Sequence, residues 1–351
     1  VDTGKPISPK TLILINPGAK IGEQKASAAW EKIGATVMDA IAASGDLTDQ
    51  VRIHWTTSGG DISEATRHFL SQNGRKIVVV GGDGTFSGAV HGAFEKGKPV
   101  SEHVPEFFLL PAGRGNDFFK VLAGRRIFDR TEAWQMGLQI LRSGHSRPID
   151  VGLTRWRVNG VLGEVERAWA NVASFGFPGL VVKQVFKKAD APDQVRSRRS
   201  KTAATYLDSG LSSLVSYRPI RFHIRVDGQD LHDGEVFSGF VLNGRYNAGG
   251  VCWSDQADPG DGLFEVLVQS PKNILFSLLD LPRLWSGRWR AGARTRMARG
   301  KIVEIQAIGP LTQSHPLFEV DGDLHEPAGC EGAQFELLPH AIQVGCLFKK
   351  A

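Results

Sequence analysis

The sequence predicts an α/β N-terminal domain on a parallel sheet, followed by a C-terminal antiparallel β-sandwich-like domain. Three observations predict it. The runs 11–15, 76–80 and 107–110 are continuous and rich in β-branched or aromatic residues, as in strands buried on both faces. Each breaks into a loop of Gly, Asn, Asp or Pro, and the spacing leaves room for crossover helices. Beyond Ile149 the pattern changes to short strands separated by Asp-Gly, Asn-Gly and Pro turns. Residues 10–147 are therefore assigned to the first domain and 148–331 to the second.

In chain order, the first strand stops at Asn16-Pro17-Gly18-Ala19-Lys20. Apolar residues at helical spacing predict a helix over Ser27–Ala43, then a short strand at 53–55 and a helix over 63–70 with Ser63 or Asp61 as N-cap. The run 76–80 ends in Gly81-Gly82-Asp83-Gly84-Thr85, and a helix is expected over 86–95. The third strand ends in Pro111-Ala112-Gly113-Arg114-Gly115-Asn116-Asp117-Phe118, and a helix over 131–141 is closed by Gly144. In the second domain strands are expected at 169–173, 220–226, 236–242, 264–268, 302–308 and 317–320. A helical insert over 201–216 follows the basic run Arg196-Ser197-Arg198-Arg199.

At 351 residues and 41% hydrophobic, the chain is long enough for two cores. An excess of 42 Lys+Arg over 37 Asp+Glu, net +5, suits ATP or an anionic membrane face and selects neither. Cys252, Cys330 and Cys346 lie far apart without metal-ligand spacing and read as buried free thiols in a reducing cytoplasm. No stretch approaches the roughly 20 apolar residues of a membrane span, the best run, 274–281, being interrupted by Ser277 and Asp280. Val1 to Pro6 lacks the apolar core of a signal peptide. The expected location is cytoplasmic, with transient visits to the membrane surface.

The three strand-end loops carry the chemistry. Glycines at 82 and 84 expose backbone N–H groups to phosphate oxygens, and Asp83 sets a carboxylate where a phosphate-bound Mg²⁺ would sit. The following helix directs its positive end at the same anion. Lys20 can reach a phosphate. Tight-turn geometry alone would explain the glycines but not Asn16, Lys20 and Asp83 together. Asn116 and Asp117 could contact nucleotide and metal-bound water, with an Asx-turn as the competing account. Of the five Asp-Gly pairs, those at Asp227 and Asp233 read as hairpin turns.

Asn-Pro-Gly, Gly-Gly-Asp-Gly-Thr and Pro-x-Gly-x-x-Asn-Asp-Phe, in this order after successive strands, resemble the diacylglycerol kinase catalytic-domain family, in particular soluble bacterial diacylglycerol kinases and their lipid-kinase relatives. The segments 149–152, 170–177, 261–264 and 320–323 fit the same pattern. The resemblance implies an NAD kinase/diacylglycerol kinase-like first domain to which the last strands return, so that about 332–351 belongs with it. It implies transfer of the γ-phosphoryl group of ATP, with Mg²⁺, to a hydroxyl of a diacylglycerol-like or sphingoid lipid held between the domains.

The cradle would be Gly82, Gly84 and Thr85 with Asn16, Gly18 and Lys20 opposite. Thr56 or Thr57 matches the family's nucleotide-contacting threonine, a helix cap being an equal account of either. Asp261 with the carbonyls of Asp258 and Leu263 matches a structural Mg²⁺ site. Asp321 matches the leading general base and Asp323 replaces a supporting glutamate, one methylene shorter. Asp83 is the rival base. Two departures stand out: Ser87-Gly88 where the family has Asn-Glu, and Arg114 where small hydroxyl residues are common, its guanidinium pairing a phosphate or pointing outward.

The segment 281–290 mixes Trp with Arg, and Arg294, Arg296 and Arg299 extend it; this suits an anionic headgroup layer or an amphipathic connector packed on the sandwich. No recognised nucleic-acid motif frames these residues, so nucleic acid is not an expected partner. Sheet edges in the second domain are compatible with a homodimer. Two other readings stand beside the lipid kinase: an NAD kinase-type enzyme sharing the Gly-Gly-Asp-Gly-Thr loop, and a catalytically idle relative that binds nucleotide or lipid.

Overall fold

A computed structural model describes residues 10–17, 27–44, 51–190, 217–271, 283, 286–309, 318–324 and 327–347. Gly18, Lys20, the expected insert 201–216 with its basic run, and the apolar run 274–281 lie outside them. The chain divides into two compact units, 1–149 with 340–351, and 150–339.

The first unit is a parallel sheet of β1 (Thr11–Ile15), β2 (Val51–Trp55), β3 (Lys76–Gly81) and β4 (Glu106–Pro111), in the spatial order β2-β1-β3-β4. Gln343 and Val344 extend it in parallel beside Glu106 and Phe107. β1 is wholly buried, as are β3 and β4 after their first residues, whereas edge strand β2 is not. Continuous apolar runs are what a sheet covered on both faces requires. The helices α1 (Ser27–Ala43), α2 (Gly59–Ser71), α3 (Asp83–Gly92), α4 (Asp117–Leu122) and α5 (Arg130–Ser143) supply the cover, α1 packing with α5 and α2 with α3. Chain order reverses direction between β1 and β3, and in open α/β sheets ligands bind at the strand carboxyl ends beside such a reversal.

Two helix starts differ from expectation. α2 begins at Gly59 with Ser58 as N-cap, its hydroxyl accepting from the Asp61 N–H at 3.2 Å, so neither Ser63 nor Asp61 caps it. Ser63 is instead buried, donating to the Gly88 carbonyl at 2.9 Å. α3 begins at Asp83 and ends at Gly92, and Phe94–Glu95 turns into a short strand. Gly88 and Gly92 lie one turn apart where α2 crosses. A Cβ on Gly88 would stand 3.1 Å from Ile62 Cγ2, and one on Gly92 2.4 Å from the Ser63 carbonyl oxygen. A larger side chain at position 88 would have to displace Ile62.

The second unit holds two antiparallel arrays. One contains β5 (Ser146–Val158, of which 146–149 falls in the first unit), β6 (Val161–Trp169), β8 (Ile220–Val226), β9 (Gln229–Val236), β13 (Ile302–Ile308) and β15 (Cys330–Gly345, of which 340–345 falls in the first unit). The other runs β12-β11-β10-β7-β14, with β7 Val172–Gly176, β10 Ser238–Leu242, β11 Phe264–Gln269, β12 Thr295–Gly300 and β14 Glu319–Val320. Trp156, Trp169, Phe175, Phe222, Phe264, Phe318 and Phe335, drawn from both arrays, share one core, which makes the unit a sandwich. The helix α6 (Phe177–Asp190) follows β7.

Several boundaries shift. Trp169 ends β6 and a separate strand starts at Val172, because Ala170 and Asn171 turn to meet Asp321. Val236 ends β9 rather than opening β10. Asp227 does sit in the hairpin turn, with φ 48°, but Asp233 lies within β9 opposite His223, bonded to Arg221. All three cysteines are buried and none is joined in a disulfide. Among the described residues no helix is long and apolar enough to cross a membrane.

The α2–α3 contact carries a prediction. Gly92→Ala should lower stability by about 1–3 kcal/mol through overpacking, although alanine is the better helix former. Gly34→Ala, in α1 with nothing within 4 Å of the added carbon, should instead be neutral or stabilising by up to about 1 kcal/mol. Urea midpoints of the two variants compare them directly.

Candidate active site

In the first unit the end of β1 at Asn16 and the loops after β3 and β4 converge. Asn16 donates its backbone N–H to the Val80 carbonyl at 3.0 Å and its side-chain amide to Thr85 Oγ1 at 3.0 Å, tying the β1 end to the first turn of α3. Gly82 and Gly113 meet backbone to backbone: a Cβ on Gly113 would lie 2.4 Å from Gly82 Cα. Phe118 stacks on Phe86 with centroids 4.9 Å apart, and its N–H donates to Asp83 Oδ1 at 3.0 Å. Gly84, in the first turn of α3, is exposed, and an added Cβ would find nothing within 4 Å.

The carboxyl groups of Asp83 and Asp117 flank Gly115, whose hypothetical Cβ would stand 3.0 and 3.3 Å from their Oδ2 atoms. Burial, reinforced by the Asp117 charge, pushes the Asp83 carboxyl up to about 6, against the opposing pull of the Phe118 and Asp117 N–H groups and Lys120. Asp117 is ion-paired at 2.8 Å with Lys120, both side chains nearly inaccessible. Lys120 was not singled out from the sequence; its position one turn after Asp117 was the available signal.

The remaining nucleotide-loop candidates have defined partners. Asn116 is left-handed at φ 51°, and its amide both accepts from the Gly113 N–H at 3.0 Å and donates to the Gly113 carbonyl at 3.1 Å. Its side chain thus closes the loop. Arg114 is exposed. Thr56 is buried and bonds Ile15 through its backbone; Thr57 gives its N–H and hydroxyl to Asp61 at 2.6 and 3.1 Å. Burial would raise the Asp61 carboxyl, but the Thr57 N–H and His54 outweigh it and hold the group below its ordinary range.

In the second unit Asp321 occupies a left-handed turn at φ 50°, and its carboxylate accepts from the N–H groups of Ala170, Asn171 and Val172 at 3.2, 3.0 and 3.1 Å. Asp323 closes the same turn through backbone bonds with Val320. Burial lowers the Arg167 guanidinium, opposed by the charges of Asp321 and Asp323. Beneath lies Glu319, a buried acid the sequence reading passed over. Its Oε1 pairs with Ser174 Oγ at 2.6 Å and its Oε2 accepts from the Gly322 N–H at 2.7 Å; burial pushes it up to about 7.

In the 257–263 loop the residues expected to hold a cation have partners within the chain. Asp261 Oδ2 pairs with Arg299, whose guanidinium also reaches Glu265, and Oδ1 accepts from the Leu263 N–H at 3.0 Å. The Asp258 carbonyl accepts from the Asp261 N–H at 3.3 Å, and Gly262 donates to buried Asp150 at 2.8 Å. Arg299 thus links the loop acid Asp261 to the strand acid Glu265.

The Asp83 site makes a pH prediction. Its carboxyl moves from 3.8 in the open chain to about 6 in the fold, so the stability it contributes is complete below about pH 4 and lost as pH rises through 6. Asp83→Asn should therefore stabilise the protein above that range, by up to about 3 kcal/mol, with the gain vanishing toward pH 4. Denaturant titrations at several pH values measure it.

Residues 10–154 match the model of the diacylglycerol kinase catalytic domain, and residues 187–346 that of the YegS C-terminal NAD kinase beta sandwich-like domain. Among curated relatives, a probable lipid kinase YegS-like protein of Shewanella frigidimarina is 24% identical over 308 residues, 84% of each chain. A diacylglycerol kinase of Mycobacterium tuberculosis is 25% identical over 290 residues, 82% of each. The fold is shared with a solved structure of a putative diacylglycerol kinase from Bacillus anthracis, at TM-score 0.67 and 20% identity, covering 97% of this chain and 98% of that one. Family matches in both units and relatives named as lipid kinases make the chain similar to diacylglycerol kinase catalytic-domain proteins along most of its length and support a lipid kinase-type enzyme.

Proposed function

We propose that the protein transfers the γ-phosphoryl group of Mg²⁺-chelated ATP to a hydroxyl of a diacylglycerol-like or sphingoid lipid. The observation that carries this reading is the convergence of the β1 end and the loops after β3 and β4 around the Gly82–Gly113 contact, with Asp83 and the unobstructed side of Gly84 at the start of α3 and Asp117 at the start of α4. Exposed backbone at a helix N-terminus favours phosphate, and paired carboxylates favour the Mg²⁺ that travels with it. The reaction then needs an acceptor oxygen in line with the γ-phosphorus. As the new P–O bond forms and the β,γ-bridging bond breaks, the acceptor proton passes to a carboxylate and ADP leaves.

Asp321 is the base in this scheme and Asp323 its support. The three N–H donors on Asp321 fix its orientation, which matters more than basicity in a loose transition state where little charge has built up on the alcohol. Approach to lipid at a membrane surface is supported by exposed Arg288, Arg290, Arg294 and Arg296. Trp289 does not join them: it packs against the cluster of Val172, Phe240, Leu242, Ala257 and Leu267, which favours the connector account of that segment.

A panel of lipids in mixed micelles with labelled ATP and Mg²⁺ tests the proposal. Labelled phosphate should appear on a diacylglycerol or sphingoid lipid and not on NAD; phosphorylation of NAD alone overturns it. Asp321→Asn should lose turnover while still binding ATP, whereas no turnover in either protein would favour a nucleotide-binding relative without activity. Gly84→Ala separates the ligand account of that glycine from the packing account. It should hold or slightly raise the thermal midpoint and weaken ATP binding about tenfold or more by calorimetry, since its methyl group intrudes only on a ligand.

A further inference from the structure

Glu319 is an acid in a place where an acid is costly. It is 1% exposed on β14, with one oxygen on the Ser174 hydroxyl and the other on the N–H of Gly322, the residue between Asp321 and Asp323. Packing alone would be served by an apolar or amide side chain. The Asp321-Gly322 turn is left-handed at both residues, φ 50° and 84°, a geometry that one anchoring acceptor beneath it can hold. The upper side of the turn is fixed by the three N–H bonds to the Asp321 carboxylate; the underside is fixed by Glu319.

Resting on the reading of Asp321 as base, we propose that Glu319 is a positioning residue for Asp321, clamping the 320–323 turn through Gly322 and Ser174 more tightly when ionised than when protonated. Both of its partners donate to the ionised form, so loss of its proton strengthens both bonds. Its negative charge then also favours proton uptake by Asp321. The charges that act on it are those of Asp321 and Asp323, and both oppose its ionisation. Arg167 stands beside those two aspartates. On helix α6, which packs against the same strand, Lys183 is the one charged residue with a described side chain. Burial together with these aspartates brings the titration of Glu319 to neutral pH, inside the working range of a kinase assay.

The test is Glu319→Gln, which keeps the shape and the acceptor for Gly322 but cannot ionise. Wild-type kcat should rise several-fold over about pH 6 to 8, and the variant should lack that limb, running about fivefold slower at the alkaline end with KM for ATP within about twofold of wild type. Ser174→Ala keeps the acid and removes one donor to its ionised form, so its limb should move to higher pH; this variant serves if the glutamine protein folds poorly. A wild-type pH profile in Glu319→Gln or an unmoved limb in Ser174→Ala overturns the proposal. Full turnover by Asp321→Asn overturns the base assignment and the proposal with it, whereas an inactive Asp321→Asn with an unchanged Glu319→Gln profile overturns this inference alone.

Discussion

The contact between Gly82 and Gly113 is the constraint on which the first unit's site depends. A side chain at either position would push apart the loops following β3 and β4, and the Cβ separations of 2.9 and 2.4 Å from the facing Cα atoms leave no room for adjustment. Because the two backbones touch, Asp83 and Asp117 come to flank Gly115, Phe118 reaches Phe86, and its N–H reaches Asp83. Two acids brought together out of water repel, and the fold offsets this with Lys120 and backbone donors rather than avoiding it. On the proposed reading the remaining strain is relieved by the cation that arrives with the nucleotide, so a cost in the empty protein becomes selectivity for a metal-chelated phosphate.

The parallel core was legible because its signal is local. Runs such as Ile77-Val78-Val79-Val80 state burial on both faces without reference to anything else in the chain. The Gly-Gly-Asp-Gly-Thr and Asn-Asp-Phe loops were legible as places where glycines and acids coincide. Helix starts were less so: Ser58, Asp61 and Ser63 are all good caps by composition, and only the burial of Ser63 against the Gly88 carbonyl excludes it. Asp233-Gly234 looks like a turn locally, but the Asp227-Gly228 pair already closes the hairpin and leaves Asp233 in the strand. Lys120 and Glu319 escaped notice for a deeper reason: charged residues are usually solvated, and their burial is a property of tertiary packing that no local pattern encodes.

Asp83 in the first unit and Asp321 in the second are held in opposite ways. In the first, Asp83 is raised by burial and by a like charge, so that its neutral and ionised forms are close in energy near pH 6. In the second, Asp321 is surrounded by N–H donors from three consecutive residues, an arrangement that leaves the side chain one orientation. A group that must exchange partners with an arriving ligand suits the first environment, and one that must point in a constant direction suits the second.

Asp261 illustrates how a familiar motif can be used differently. Asp258 to Leu263 has the spacing of a carboxylate and carbonyls that would suit a hard cation, yet the partner facing Asp261 is the guanidinium of Arg299, directly across the β11–β12 ladder from Glu265. Glu265 is nearly inaccessible, and burial raises its carboxyl against the pull of that same arginine. One positive charge is thus shared by a loop acid and a strand acid. Removing Arg299 would take this shared counter-charge from both acids at once, and buried Glu265 would lose more by it than the partly exposed Asp261.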